Sequence, residues 1–337
     1  MTSKYLQMEL RTSPHIARET RVDIIMKNVV YSLIPIVAMS VYAFGLSALL
    51  LVLACTLSAV LTEHLLGRLS GKAGTLGDYS AVITGILLGL TLPPGFPLWM
   101  AVVGGIVSIA IGKTLFGGLG FNVFNPALVG RAFLQAAFPV AITTWSEPFA
   151  QNRFGQTIAA SLIPPFSKLV PDAATGATPL AAMKFDQQLA STQAVLFGTV
   201  SGSAGETSAI LILLCGAYLA LRKMLDWRIP VGILVTVYVL SGLFHLIAPT
   251  YPPPLFMLLS GGLMLGAIFM ATDMVTCPVT SSAVWIFAAL VGTLTVVIRL
   301  WGGLPEGVMY AILLGNALTP VISRLTQPRV YGVVRQA

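Results

Sequence analysis

The chain has 337 residues, of which 56% are hydrophobic and only 9% are charged, whereas soluble domains carry about a quarter charged residues. Together with a mean hydropathy of +0.88, this composition excludes an ordinary soluble domain and predicts an integral membrane protein with the lipid bilayer as a partner. The net charge of +7 does not indicate nucleic-acid binding, because basic residues of membrane proteins mainly fix the orientation of the helices.

Ten apolar stretches, each near the roughly 20 residues that cross a bilayer, predict an all-α protein. The first 26 residues mix charges of both signs and lack the apolar core of a signal peptide, so we expect a cytoplasmic segment over 1–26. Five spans form a first repeat over 27–140, and five more form a second repeat over 207–323. The polar segment 141–206 separates the repeats, and residues 324–337 form a cytoplasmic tail. The predicted spans are 27–44, 46–66, 79–92, 98–112, 126–140, 207–221, 229–247, 255–271, 283–298 and 308–322.

The basic residues support one orientation of these spans. With a cytoplasmic N-terminus, Arg131 lies within a span and 14 of the 19 Lys and Arg lie on the cytoplasmic side. The outer side then receives Arg153, Lys168, Lys184 and Arg299. Because cytoplasmic loops are enriched in Lys and Arg, we predict that both termini are cytoplasmic and that 141–206 lies outside.

The two halves share short sequence patterns. Gly85 and Gly89 have counterparts in Gly262 and Gly266, and the string that begins at Asn125 loosely resembles 316–320. An odd number of spans per half places the copies in opposite orientations, which predicts an inverted repeat with short or broken helices near the midplane. The glycine spacing is also what close helix packing requires, and the two interpretations are compatible.

One polar string within 141–206 presents a hydroxyl for modification. It runs from Asp172 through Thr175, Gly176 and Ala177 to Thr178, and Pro179 follows. The glycine removes a Cβ that would obstruct another molecule, and the proline biases Thr178 towards an extended, accessible conformation. The alternative is an ordinary Asx-type turn, which Asp, Thr and Gly also favour.

Four strings together resemble the family that contains the D subunit of the Rnf complex and the B subunit of the sodium-translocating NADH:quinone reductase. These strings are 113–120, 125–133, 172–178 and 271–276. The resemblance covers nearly the whole chain. The family's flavinylation signature is Asp-x-x-Ser/Thr-Gly-Ala-Ser/Thr, and its last hydroxyl carries FMN through a phosphoester bond.

The resemblance implies that FMN is attached covalently to Thr178, within the flavinylation motif formed by Asp172, Thr175, Gly176 and Ala177. It also implies a flavin transferase that attaches the FMN, and a second, non-covalent flavin such as riboflavin nearer the membrane centre. The chain would then be a subunit of an ion-translocating NADH/ferredoxin oxidoreductase of the bacterial inner membrane. Its partners would include iron–sulfur subunits and a second flavinylated subunit, and electron transfer would drive Na⁺ or H⁺ across the membrane.

Several ionisable side chains near the spans are further candidates, because charges within a membrane usually have a function. Arg131 and the neighbouring Asn125 would contact a flavin, or Arg131 would cap free backbone carbonyls. Asp273 would take part in ion passage or only end a helix. We interpret Lys113 as a side chain that snorkels to the interface. Glu63, His64 and Glu206 lie at helix ends and are interpreted as interfacial.

Two classes of site are not expected on this chain alone. Cys55, Cys215 and Cys277 are far apart in sequence, so they predict free thiols and no metal or iron–sulfur site. No nucleotide-binding domain is recognisable, and NADH would react on another subunit. The alternative function is a solute channel or transporter with no redox role, because the inverted repeat is similar to urea-transporter-like folds.

Overall fold

The computed structural model describes residues 21–71, 76–151, 153–155, 159–165, 177–206 and 208–327. Within these ranges the regular structure is helical and contains no β-strand. Five helices are long and apolar enough to cross a membrane, and shorter apolar helices lie between them. The chain is therefore an all-α, multi-pass membrane protein, as the composition predicts. The number of ten crossings and the opposite orientation of the halves stay predictions.

The first half begins with two long helices separated by a single residue. α1 (Val22–Phe44) and α2 (Leu46–Leu69) meet at Gly45, whose φ is 74°. A Cβ at this glycine would lie 1.9 Å from the carbonyl oxygen of Arg153, so only glycine fits the turn. Three shorter helices follow: α3 (Ser80–Thr91), α4 (Leu98–Ile109), which continues as a π-helical turn (Ala110–Thr114), and α5 (Pro126–Ala137).

Three short α-helices lie between the two halves, α6 (Pro139–Ile142), α7 (Pro179–Phe185) and α8 (Thr192–Phe197). Because α5 ends at Ala137 and α6 begins at Pro139, the prediction of one continuous helix over 126–140 is wrong. The chain breaks at Phe138, whose backbone leaves the helical region immediately before Pro139. Pro139 disfavours helical geometry at the residue before it.

The second half consists of α9 (Ala209–Leu221), α10 (Arg228–Ile247), α11 (Pro254–Leu259), α12 (Leu263–Leu265), a second π-helical turn (Gly266–Met270), α13 (Ser281–Trp301) and α14 (Val308–Leu325). The predicted span 255–271 is therefore a broken helix. It is interrupted at Gly261, whose φ is 69°. The break exposes backbone carbonyls at the end of α11, and these need partners inside the protein.

The two halves share one order of packing. α2 packs against α3 and α4, and α4 packs against α5; correspondingly, α10 packs against α11 and α13, and α13 packs against α14. α1 and α9 pack against each other across the halves. Small residues permit the closest contacts, since a Cβ at Gly85 would lie 2.4 Å from the Cα of Thr56 on α2. This shared order is what a repeated five-element unit would produce.

Candidate functional site

Thr178 begins α7 as its N-cap residue. Its backbone is extended, with φ −67° and ψ 152°, and its Oγ1 accepts a hydrogen bond from the backbone N–H of Ala181 at 3.2 Å. The extended conformation was predicted from Pro179. The expectation of an accessible hydroxyl was wrong, because Thr178 is only 3% exposed and its oxygen serves the helix terminus. Asp172, Thr175 and Gly176 lie outside the described residues, whereas Ala177 is described and exposed.

A cleft open to solvent lies beside this helix start. Its lining includes Ala177 and Pro179, the two neighbours of Thr178, and it has a volume of about 440 Å³. Glu147, Phe149 and Gln188 add polar and aromatic groups to the lining. The volume lies in the range of small-molecule sites, so the space next to Thr178 fits a group of cofactor size.

Arg131 on α5 forms an ion pair that connects the two halves of the chain. Its NH2 donates to Oε2 of Glu306 at 2.7 Å, across 175 positions of sequence. Glu306 lies in the loop between α13 and α14. This ion pair is not the carbonyl capping considered for Arg131, whereas a contact between Arg131 and a flavin stays a prediction. The guanidinium binds a carboxylate that the sequence analysis did not consider.

The carboxyl group of Glu206, shortly before α9, accepts few hydrogen bonds. Its Oε1 is buried and has no hydrogen-bond partner, and its Oε2 accepts only a long bond of 3.4 Å from the N–H of Ser203. Burial, together with repulsion from Glu306, raises the pKa of Glu206 to about 8. Glu206 is partly exposed as a residue, but its Oε1 faces the protein interior; the interpretation of Glu206 as an interfacial residue stays a prediction.

Arg299 in the last turn of α13 caps the broken helix α11. It is 3% exposed, and its guanidinium donates to the carbonyl oxygens of Met257 at 2.5 Å and Ser260 at 2.9 Å. These carbonyls belong to the α11 terminus, where no helical N–H follows. The role that we considered for Arg131 is thus performed by Arg299, which the sequence analysis counted only as an outer charge.

Lys184 connects α7 to the end of α13 and the loop that follows it. Its ammonium donates to the carbonyl oxygens of Arg299 at 2.9 Å and Leu304 at 3.2 Å, and also to that of Gly302. Partial burial lowers the pKa of Lys184. Through this contact, the helix that Thr178 begins is joined to the loop that carries Glu306.

Lys113 belongs to a second group of charges, near the opposite ends of the helices. It is 3% exposed, and its ammonium donates to Oε1 of Glu63 at 2.7 Å and to the hydroxyl of Ser80. Asp78 adds a carboxylate oxygen at 3.9 Å. The predictions that Lys113 snorkels and that Glu63 is interfacial were wrong, because the π-helical turn directs Lys113 towards α2 and the start of α3.

Asn125 and Asp273 line one cavity, together with Lys113. Asn125 caps α5 by accepting a bond from the N–H of Ala127 at 3.0 Å, and its amide donates to the carbonyl of Met270 at 3.1 Å. Asp273 accepts long bonds from Val275 and Thr276, and burial raises its pKa. The cavity measures about 80 Å³ and also contains Asn122. Two predicted site residues from different halves therefore meet here.

The cysteines are free thiols, as predicted; Cys55 and Cys215 are buried and Cys277 is partly buried. No group of three or more His, Cys, Asp and Glu side chains suited to a metal ion occurs among the residues that the structure describes.

Comparison with known proteins gives a consistent result over nearly the full length. The chain is 42% identical to the D subunit of a proton-translocating ferredoxin:NAD(+) oxidoreductase complex from Clostridium ljungdahlii, over 97% of this chain and 96% of that protein. It is 41% identical to the D subunit of a Na(+)-translocating ferredoxin:NAD(+) oxidoreductase complex from Acetobacterium woodii, over 98% of this chain and 97% of that protein. Identity is 42% with the D subunit of an ion-translocating oxidoreductase complex from Stutzerimonas stutzeri, over 92% of each chain.

The family described as NQR2, RnfD, RnfE matches residues 9–332. This range contains every helix of the described structure, the broken segments and both buried charge groups. Because the family match and the relatives cover the same nearly complete length, the chain belongs to the NQR2, RnfD, RnfE family.

Proposed function

We propose that this chain is a membrane subunit of an ion-translocating NADH/ferredoxin oxidoreductase complex, in which it carries electrons through FMN esterified to Thr178. The observation that carries the proposal is the complete flavinylation motif from Asp172 to Thr178 in a member of this family. The relatives named above are subunits of such complexes. The cleft beside Ala177 and Pro179 supports it, since it leaves room for an attached group.

When bound, the flavin supplies the redox chemistry, and the protein supplies attachment, position and surroundings. Thr178 contributes the oxygen of the phosphoester, and α7 holds this oxygen in place. Lys184 donates hydrogen bonds to three carbonyl oxygens and so holds α7 against the second half. Because Thr178 is almost fully buried, the transferase would need the α7 start to open locally, or would act before this helix packs.

A second, non-covalent flavin such as riboflavin would bind nearer the membrane centre. The cavity lined by Asn125 and Asp273 measures about 80 Å³ and is too small for a flavin, since small-molecule sites measure roughly 300–1,000 Å³. It has room for an ion or a few waters, so Asp273 in its lining would serve the ion path. We propose Na⁺ or H⁺ as the translocated ion, because relatives named for each are similar to this chain to almost the same degree.

The remaining parts of the proposal concern location and partners. The chain would lie in a bacterial inner membrane with both termini in the cytoplasm and Thr178 on the periplasmic side. A flavin transferase would act on it there. A second flavinylated subunit and iron–sulfur subunits would exchange electrons with it, and another subunit would react with NADH.

The decisive experiment is expression with a flavin transferase, followed by denaturing-gel fluorescence and mass spectrometry of the peptide around Thr178. Thr178→Ser should stay fluorescent because it keeps the hydroxyl, and Thr178→Ala should lose the band. Ser191→Ala is the matched control, since Ser191 also begins a helix of the outer segment and accepts a bond from Ala194. A fluorescent Thr178→Ala band would refute the attachment site. A colourless wild-type protein would instead support a solute channel.

A further inference from the structure

The carboxyl groups of Glu206 and Glu306 lie in a buried polar cluster that the proposed electron transfer does not use. Each has an Oε1 atom that is buried and has no hydrogen-bond partner. Glu206 comes from the segment before α9, Glu306 from the loop before α14, and Arg131 from α5 in the first half. The cluster therefore lies where the two halves of the chain meet.

Arg131 lies close to both carboxyl groups. Its NH2 is 2.7 Å from Oε2 of Glu306. A Cβ at Gly262 would lie 3.3 Å from Oε1 of Glu206 and 4.0 Å from NH1 of Arg131, so these two groups border the same small space. Arg299 is the other cation of the cluster; its NH1 and NH2 donate to backbone carbonyls, and its charge also acts on both carboxyl groups. Glu306 has a guanidinium partner at 2.7 Å, whereas the hydrogen bond that Glu206 accepts comes from the N–H of Ser203.

The surroundings of Glu206 suit a neutral carboxylic acid better than a carboxylate. Its one acceptor bond, from Ser203, is long, and a buried charge with so few donors is unfavourable. Desolvation and repulsion by Glu306 raise the pKa of Glu206, and they outweigh the attraction of Arg131 and the bonds from Ser203. Protonation of Glu206 removes its repulsion with Glu306.

The cluster also has space for water. Arg131, Ser203 and Glu306 line a cavity of about 60 Å³, with Gln135 and Tyr310 as further polar groups. A buried water needs roughly 10–15 Å³ of such space and two to four polar partners, so the cavity can hold a few water molecules. Glu206 does not line this cavity itself, but Ser203, which donates to its Oε2, and Gly262, which borders its Oε1, both do. Waters in the cavity would therefore lie next to the Glu206 carboxyl group and carry its proton.

We propose that Glu206 and Glu306 form a proton-binding site at the interface of the two halves, which holds one proton at neutral pH and releases it at alkaline pH. The step is an acid–base exchange: the Glu206 O–H bond breaks, its electron pair stays on the carboxylate, and water accepts the proton. The resulting carboxylate competes with Glu306 for Arg131. Release of the proton therefore weakens the ion pair between the halves. This site goes beyond the proposed electron transfer and does not depend on flavin at Thr178.

Infrared difference spectroscopy of the complete purified complex tests the site, because a protonated carboxyl group has a C=O stretching band that ionised carboxylates lack. Titration of the wild type from about pH 5 to about pH 10 should show loss of one such band with a midpoint near the pKa of about 8. Glu206→Gln should abolish this titrating band. Asp186→Asn, which alters an exposed acid at the end of α7, should leave it unchanged.

Glu306→Gln keeps the test decisive if the first variant does not fold. Without the charge of Glu306, Arg131 is free to pair with Glu206, so the midpoint should move down by at least about one pH unit. The proposal is wrong if no band titrates in the wild type, if the band persists in Glu206→Gln, or if Glu306→Gln leaves the midpoint unchanged.

Discussion

Arg131 and Glu306 form a 2.7 Å ion pair whose side chains are only 9% and 17% exposed. The residues are 175 positions apart, so the pair is a tertiary contact between the halves of the chain. A charge left in such a site without its partner is strongly destabilising, whereas the pair itself contributes little net stability. Its main effect is therefore to specify how α5 and the loop before α14 fit together.

Substitution of Arg131 should destabilise the protein more than the loss of one hydrogen bond would. Arg131→Met leaves Glu306 buried without its cation, and we expect a decrease of about 3–5 kcal/mol in the free energy of unfolding. The double variant Arg131→Met/Glu306→Met should recover a large part of this. Denaturant unfolding in detergent micelles measures both.

The pair Arg228–Asp226 is the matched control, because both side chains are 31% exposed. Arg228→Met should change the free energy of unfolding by only about 0–1 kcal/mol. If Arg131→Met and Arg228→Met lowered the free energy of unfolding equally, burial would not be the reason for the effect of Arg131→Met.

Loss of Lys113 should likewise leave a buried carboxylate, that of Glu63, without its cation. Lys113→Met removes the ammonium that is 2.7 Å from Glu63 and should destabilise the protein by about 3 kcal/mol or more. Denaturant unfolding in detergent micelles measures this. Unchanged stability would mean that Lys113 is solvated, as the sequence alone suggested.

The sequence predicted the long helices well, because each is a long and continuous apolar run. α1, α2, α10, α13 and α14 lie within a few residues of their predicted bounds. Asn125 and Pro126 also behave as their types predict, as the cap and first residue of α5. These features depend on local chemistry, which a sequence pattern reports directly.

The buried charges were not predictable in the same way. Lys113 and Glu63 are 50 positions apart, and no periodic pattern joins them. Glu306 lies beside a proline and glycines in a loop, which gives no local sign of burial. Only the tertiary approach of two helix ends turns such residues from interfacial charges into interior pairs. Broken helices were predicted, but the place of the break in 255–271 was not, since apolar composition alone cannot show that Arg299 supplies the missing caps.

Lys184 should control the order of α7 with little effect on the rest of the fold. Lys184→Met removes three bonds to carbonyl oxygens near the end of α13, so the amides of α7 should exchange with solvent faster. Hydrogen exchange with mass spectrometry measures this, and the peptides of α8 and α13 serve as internal references. Uniformly faster exchange in all three helices would indicate global destabilisation and contradict a local anchor.

Asp273 should make the protein less stable as the pH rises. Burial raises its pKa above the ordinary value of 3.8, so the folded state binds the proton more tightly than the unfolded state does. The sign of linkage then requires that this contribution favours folding below the unfolded pKa and is lost as the pH rises through the folded pKa.

Asp273→Asn removes the titrating group but keeps an oxygen that can accept the bonds from Val275 and Thr276. We expect the variant to be more stable than the wild type at neutral pH and to equal it in acid. Thermal unfolding from about pH 4 to about pH 8 gives the comparison. Ion translocation by the reconstituted complex should fall if this carboxylate serves the ion path, since a stabilising change at a functional site commonly lowers activity. Stability that falls in the variant at neutral pH would show that the carboxylate is a structural cap.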